Sequence, residues 1–219
     1  AKYLNTKETE IFKKSSLLFN YHNAKNYIRE RRSVIVVEGN MDAIKLSAKG
    51  FKNVVALMGV ALSIEQIDIL KRLKVPVILM LDNDNTGEDA TVKNGETLIN
   101  SGIDTRVVRL SEAKDPDEYL EKFGIEAMQN NIENAIKYID FKIEYLKKNS
   151  IVVFIDRPVE NILGDIEVEK RPLLANGKEV LYKLYDERYD LYKEYCDYRV
   201  ENTGSLDEIV DKIAKLRNS

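Results

Sequence analysis

Between Ser33 and Leu110 the chain alternates between short apolar runs and longer stretches with one apolar face. VIVVEG (Val34 to Gly39) is a β-branched run that ends in a turn, which reads as a buried strand. MDAIKLSAKG reads as a helix, with Gly50 placed to stop it. NVVALMG gives a second strand. Ser63 and Gln66 form a capping-box pair ahead of the helical IDILKRL. VPVILML gives a third strand and GEDATVKNGETLINSG a helix, weakened inside by Gly95 and closed by Gly102. DTRVVRL is the fourth strand. Strands that alternate with helices predict right-handed crossovers and an α/β fold around a mostly parallel sheet.

Ligands of such sheets bind beyond the carboxyl ends of the strands. Here those ends are acidic. Glu38 closes the first strand and Asp42 follows it; Asp82 and Asp84 close the third; Asp115 and Asp117 follow the fourth. If the strands are neighbours, all six carboxylates share one rim. Carboxylates held close repel one another and raise each other's pKa values, and a divalent cation relieves this. The chain has one histidine, His22, and one cysteine, Cys196, so an internal disulfide is excluded and a Cys/His zinc site is disfavoured. Oxygen ligands alone select Mg²⁺, Mn²⁺ or Ca²⁺ rather than zinc, and the chemistry that suits such a rim with Mg²⁺ is phosphoryl or nucleotidyl transfer.

The remaining composition narrows the setting. A net charge of -3 argues against a globally basic nucleic-acid coat, so a polyanion would be met by a local patch or through bound metal. No signal peptide or membrane-length apolar run is present, which predicts a cytoplasmic protein without membrane contact.

The stretch DNDNTG, Asp82 to Gly87, admits three readings. Its acids can simply end a strand and open a helix. It begins like a calcium-binding EF-hand loop, but the twelfth position, which needs a bidentate acid, is Lys93. It also fits the D-x-D-x-T motif of haloacid-dehalogenase-like phosphatases, in which Asp82 would form an aspartyl-phosphate. That motif normally opens its domain, and here two strands precede it.

Four motifs in order, VVEGNMDAI, ALMGVALS, LDNDNTGEDA and KDPDEYL, resemble the Toprim domain of bacterial DNA primase of the DnaG type, and the leader AKYLNTKETEIFKK resembles the segment before it. The resemblance runs from Ala1 to about Asn149 and implies a leader over 1–33 and a Rossmann-like Toprim domain over 34–148. It implies metal-dependent nucleotidyl transfer in RNA primer synthesis, with Mg²⁺ or Mn²⁺. By the family's motifs Glu38 is the acid of E-G-Y-M-D, a general acid or base and metal-site residue, and Asp42 is that motif's Asp. Asp82 and Asp84 are the metal-holding D-x-D pair, and Asp115 and Asp117 the further acids. Lys2, Asn5 and Lys14 match polar residues facing nucleotide or template. The implied partners are nucleoside triphosphates, a single-stranded DNA template and a replicative helicase. Asn40 stands where the family has Tyr, and Asn83 where it has Gly. Gly39, Gly59 and Gly87 would serve tight turns beside the site. The family's zinc-binding domain and preceding polymerase subdomain have no counterpart in this stretch, so the alternative to an active enzyme is a non-catalytic module that binds metal or nucleotide.

The character changes near Ser150. From IVVFIDRPVENIL through SLDEIVDKI the chain resembles the C-terminal part of shikimate kinase, as in a fusion or chimera over 149–219. That resemblance would place Arg171 on a lid over nucleotide and Arg188 on a shikimate carboxylate. No phosphate-cradling G-x-x-x-x-G-K-[ST] occurs in the sequence, which counts against a working kinase. Val180, Leu181, Leu184, Leu191, Tyr192 and Tyr195 recur at helical spacing and predict a buried helix face, and Ser205 with Glu208 predicts the start of a last helix. The new strand needs a partner or leaves an open edge.

Overall fold

The structure is a computed structural model that describes residues 9, 10, 12–165 and 179–216. Lys2, Asn5 and Arg171 lie outside the described residues. The chain divides into two compact units, Ala1–Lys142 and Ile143–Ser219.

The first unit is the α/β fold that the pattern predicts. After α1 (Tyr21–Arg31) come β1 (Val34–Val37), α2 (Asn40–Ala48), β2 (Val54–Ala56), α3 (Ile64–Leu73), β3 (Val77–Leu79), α4 (Asn85–Asn100), β4 (Thr105–Val107), α5 (Pro116–Glu133) and β5 (Ile136–Lys137). The sheet order is β2-β1-β3-β4-β5. The first four strands are parallel, and β5 joins β4 antiparallel through Arg106↔Lys137 and Val107↔Ile136. The alternating pattern does not reveal β5, because two residues carry no period.

All four residues of β1 are buried, as expected of a strand covered on both faces. Val34 and Val36 point into one core, with Ile28, Ile67, Leu70 and Leu98. Ile35 and Val37 point into the other, with Leu46, Met80, Leu120 and Met128. This strict alternation fixes the register, since a slip of one residue would exchange the two cores. The helix ends follow the sequence signals. Ser63 and Gln66 complete both arms of a capping box, and Gly50 and Gly102 take positive φ of 101° and 79° past the ends of α2 and α4. Gly95 is not a weakness in α4. A Cβ there would lie 2.1 Å from ring carbons of Tyr138, whose hydroxyl donates to Val92 O at 2.7 Å. Helix α5 bends at Gly124, where φ is 81° and ψ -178°.

Helix α6 (Tyr138–Asn149) carries the chain across the division between the units. The second unit contains β6 (Val153–Asp156), α7 (Val159–Asp165), α8 (Glu179–Tyr195), β7 (Tyr198–Glu201) and α9 (Leu206–Leu216). Strand β6 finds its partner in β7, parallel, from Val153↔Tyr198 to Asp156↔Glu201. The ladder is tied down by Asp156, which is only 5% exposed and accepts from Tyr185, Tyr189 and Arg199. Of the residues expected on the packed face of α8, Leu181 and Tyr195 are half-buried and Leu191 is exposed, the side chains of Val180 and Leu184 lie outside the described residues, and Tyr185 and Tyr189 are half-buried in addition. Tyr192, also exposed, still sets its ring 5.4 Å from that of Phe154. Three tyrosine hydroxyls or rings reaching for Asp156 and Phe154 outweigh the purely apolar spacing. Ser205 Oγ accepts from Glu208 N at 3.4 Å at the start of α9.

Candidate metal centre at the sheet rim

Strand β1 lies between β2 and β3, so the chain crosses to one side of β1 first and to the other side next. This makes the gap between the carboxyl ends of β1 and β3 the point where a doubly wound sheet opens a crevice. Glu38 leaves β1 at that gap, and Asp42 sits in the first turn of α2 just beyond it. The end of β3 is extended by Met80, whose N donates to Val36 O, so Asp82 emerges beside Glu38.

The acids act on one another electrostatically. Glu38 is pushed above the ordinary carboxylate range by burial and then by Asp84 and Asp42. Asp42 is pushed up to about 6 by burial, then by Asp82, Asp115 and Asp117, against a stabilising backbone hydrogen bond from Gly39. Asp82 is likewise pushed up to about 6 by burial, then by Glu38, Asp115 and Asp84, with Lys114 pulling down. Each of the six rim acids enters this mutual field, although they come from three separate loops.

Two of them also do the local work that an acid at a helix start does. Asp84 is the N-cap of α4 and its Oδ1 accepts from Gly87 N at 2.8 Å. Asp115 is the N-cap of α5 and its Oδ1 accepts from Glu118 N at 2.8 Å. Capping holds these carboxylates in place at the rim, so the local and the functional reading of DNDNTG are compatible. Asp117 forms an ion pair with Lys45 from α2, a partner that spacing gives no means of finding. Glycine matters where the backbone closes in. A Cβ on Gly87 would stand 2.0 Å from Asp82 O, and one on Gly39 would stand 2.6 Å from Asp42 Oδ2. Gly59, expected to act likewise, faces open space.

Asn83 contributes more than the sequence suggests. Its Nδ2 donates to Leu110 O at 3.0 Å and to Ala113 O at 3.1 Å, and its backbone N donates to Lys114 O at 2.7 Å. The residue between two candidate ligands thus fastens their loop to the loop that carries Asp115 and Asp117. Asn40 leaves its Oδ1 buried with no hydrogen-bond partner. Gln66, 2% exposed, donates from Nε2 to Leu17 O at 2.7 Å and to Leu57 O at 3.2 Å, fixing the leader against the sheet. Lys14 lies in that leader, in the 3-10 turn Lys14–Ser16. Arg188 is an exposed residue of α8.

Among the described residues no three such side chains are already closed into a metal cage. The donor set nevertheless suits a hard divalent cation: all six candidates are carboxylates, Glu38, Asp42 and Asp82 are raised by burial and by the charges of the other rim acids, and Asn40 carries an orphaned oxygen in the same segment as Glu38 and Asp42.

The Toprim-like family model matches residues 35–120, which spans β1 to the first turns of α5 and includes all six acids. Over these residues the chain is similar to the Toprim domain of DnaG-type primases. It is similar to the DNA primase of Staphylococcus aureus (strain MSSA476), 41% identical over 147 residues, which are 67% of this chain and 24% of that protein. It is also similar to the DNA primase of Staphylococcus epidermidis (strain ATCC 12228 / FDA PCI 1200), 36% identical over 214 residues, covering 92% of this chain and 34% of the relative. Among solved structures, a DnaG primase catalytic domain bound to single-stranded DNA is 28% identical with a TM-score of 0.63, over 87% of this chain and 60% of that one. The chain therefore spans about a quarter to a third of the curated relatives it matches. The Shikimate kinase family model matches residues 138–217, so the second unit resembles that family while the Staphylococcus epidermidis alignment also extends beyond the Toprim domain. Among the described residues no helix is long and apolar enough to cross a membrane.

Proposed function

We propose that this chain is the metal-binding part of a DNA primase and acts in metal-dependent nucleotidyl transfer during RNA primer synthesis. The observation that carries the reading is the convergence of Glu38, Asp42, Asp82, Asp84, Asp115 and Asp117 in one electrostatic field at the β1/β3 crevice of a Toprim domain. Glu38, Asp82 and Asp84 are the residues assigned to catalysis, and all six would hold Mg²⁺ or Mn²⁺. When bound, such ions offset charge on a nucleoside triphosphate and acidify an attacking 3′-hydroxyl.

The side chains prepare for this in distinct ways. Glu38, held above the ordinary carboxylate range by burial and then by Asp84 and Asp42, is the acid suited to hold or pass a proton there. Asp84 and Asp115 are oriented by their helix caps. Lys45 offsets charge on Asp117, so the rim is not uniformly repulsive. Nucleoside triphosphates, a single-stranded template and a replicative helicase are the partners this reading requires, with Lys2, Asn5 and Lys14 toward nucleotide or template. A cytoplasmic setting goes with it. The Toprim match and the primase relatives favour this reading over a phosphatase acting through Asp82, over a non-catalytic module and over a shikimate kinase using Arg171 and Arg188.

Mn²⁺ titration followed by EPR tests the site. The parent is expected to bind at sub-millimolar concentration and Asp82→Ala/Asp84→Ala to lose that binding. Equal weak binding by both would show that the carboxylates form no centre. Primer synthesis is then read with the same double substitution in a primase that carries the full set of domains, where it is expected to abolish activity.

A further inference from the structure

A second concave site lies at the opposite end of the sheet. Ser33, Asn53 and Pro76 stand immediately before β1, β2 and β3, and Arg106 lies within β4. Together with Arg31, Arg32, Phe51 and Ile132 they enclose a cavity of about 430 Å³, within the size range of small-molecule sites. Four residues of β1 separate it from Glu38, roughly 13 Å along the strand. It is therefore distinct from the acidic rim in both position and charge.

Two atoms in its wall are unsatisfied. Asn53 is 2% exposed, and its Nδ2 is held by Ser33 O at 3.0 Å and Ser33 Oγ at 3.2 Å. This fixes the amide so that Oδ1 is the remaining acceptor, and that oxygen is buried without a partner. Arg106 Nε is also buried without a partner, and is a donor. A buried polar group left unpaired costs about 1–3 kcal/mol, so a bound molecule that paired with these two atoms would recover that cost.

The required chemistry can be read from the wall. Three guanidinium groups, Arg32, Arg106 and Arg31, the last also donating from Nη2 to Gly50 O at 3.5 Å, outweigh the single carboxylate of Glu133, which already accepts from Gln129 Nε2 at 2.7 Å. They call for an anion, and guanidinium suits phosphate because it presents paired donors. Asn53 Oδ1 calls for an N–H or O–H donor on the same molecule. Phe51, Pro76 and Ile132 supply an apolar wall for a flat ring. We propose that this cavity binds a nucleoside phosphate, with phosphate on the arginines and a base or ribose donor on Asn53 Oδ1. It is a site separate from the metal centre and independent of it.

The test is amide NMR of the whole chain in EDTA, titrated with each of the four ribonucleoside monophosphates. EDTA keeps the acidic rim from recruiting phosphate through metal. At least one nucleotide is expected to shift the Ser33, Asn53 and Arg106 amides with a Kd below about 1 mM, while Glu38, Gly39 and Asp82 stay unmoved. Arg106→Gln keeps the strand and removes the charge, and Arg32→Asn tolerates the positive φ of 51° at that position. Each is expected to weaken binding at least about fivefold, equivalent to about 1 kcal/mol, while the rest of the spectrum is preserved. Asp82→Asn/Asp84→Asn is expected to bind as the parent does. No shift at about 5 mM nucleotide, weaker than any useful site of this size, would overturn the proposal. So would shifts confined to the acidic rim, or parent-like binding by Arg106→Gln. Inorganic phosphate producing the same shifts at the same affinity would reduce the cavity to an anion hole and refute the nucleoside part.

Discussion

Gly87→Ala probes the metal centre without touching a carboxylate. The added Cβ would stand 2.0 Å from Asp82 O, about 1.4 Å inside the 3.4 Å at which ordinary contact begins. Neither partner is a flexible side chain: one is the first turn of α4 and the other is the backbone that presents Asp82. The two segments must separate, at an overpacking cost of about 1–3 kcal/mol or more. Alanine regains about 1 kcal/mol of helix propensity, so a net loss of about 2 kcal/mol is expected. For a chain of this size that lowers Tm by about 4–8 °C. The same movement shifts Asp82 and stretches the cap from Gly87 N to Asp84 Oδ1, so Mn²⁺ affinity should fall about tenfold or more. The assay is thermal unfolding with and without Mn²⁺, beside an EPR titration. Gly59→Ala is the control, because nothing lies within 4 Å of its Cβ position, and it should stay within about 0.5 kcal/mol of the parent. A Gly87→Ala protein that melts within about 1 °C of the parent and binds Mn²⁺ equally well would refute the reasoning, since that shift is under about half a kcal/mol.

Three other perturbations reach different parts of the molecule. Asp42 and Asp82, each raised to about 6, keep protons in the folded state that the unfolded chain has released, so their contribution to stability falls as pH rises from about 4 to about 6. Because both carboxylates are partly exposed the effect is discounted to about 1 kcal/mol each; the parent should lose that stability relative to Asp42→Asn/Asp82→Asn between urea titrations at pH about 4 and about 7.5, and an unchanged difference would show that the two carboxyls are not raised. Asn83→Gly removes the hydrogen bonds to Leu110 O and Ala113 O, worth about 0.5–1.5 kcal/mol each, and should weaken Mn²⁺ binding although Asn83 is no ligand; parent-like unfolding and affinity would show the brace to be idle. Asp156→Ala strips the acceptor from Tyr185, Tyr189 and Arg199 and should destabilise the second unit by about 3 kcal/mol, read as lost amide protection in β6 and β7; retained protection would contradict the anchoring role.

Much of the first unit is legible along the chain because its signals are local. The all-apolar β1, the Ser63/Gln66 box and the stop glycines Gly50 and Gly102 each depend on residues within a few positions. The acids at the strand ends are legible for the same reason: parallel topology alone puts Glu38 and Asp82 on one rim. What stays hidden depends on partners far away in sequence. Lys45 meets Asp117 across 72 residues, and Asn83 reaches Leu110 and Ala113 across 27 and 30. Gly95 looks like a defect in a helix until Tyr138 is set against it. On α8 the half-buried Tyr185 and Tyr189 escape an apolar count because they serve Asp156 through their hydroxyls.

The place of β1 in the sheet also sets when the rim comes into being. Its pairing with β2 closes a short loop, whereas Val34↔Val77 joins residues 43 apart, and only that second pairing brings Glu38 and Asp82 together. A folding nucleus built from β1, α2 and β2 carries none of the repulsion between the two loops, because loop closure delays the longer contact. The electrostatic penalty is thus confined to the finished fold and speeds its escape. A divalent ion that relieves it should slow unfolding several-fold and leave the folding arm of the chevron almost where it was. Occupancy of the rim would then govern how long each molecule stays folded, and hardly at all how quickly it gets there.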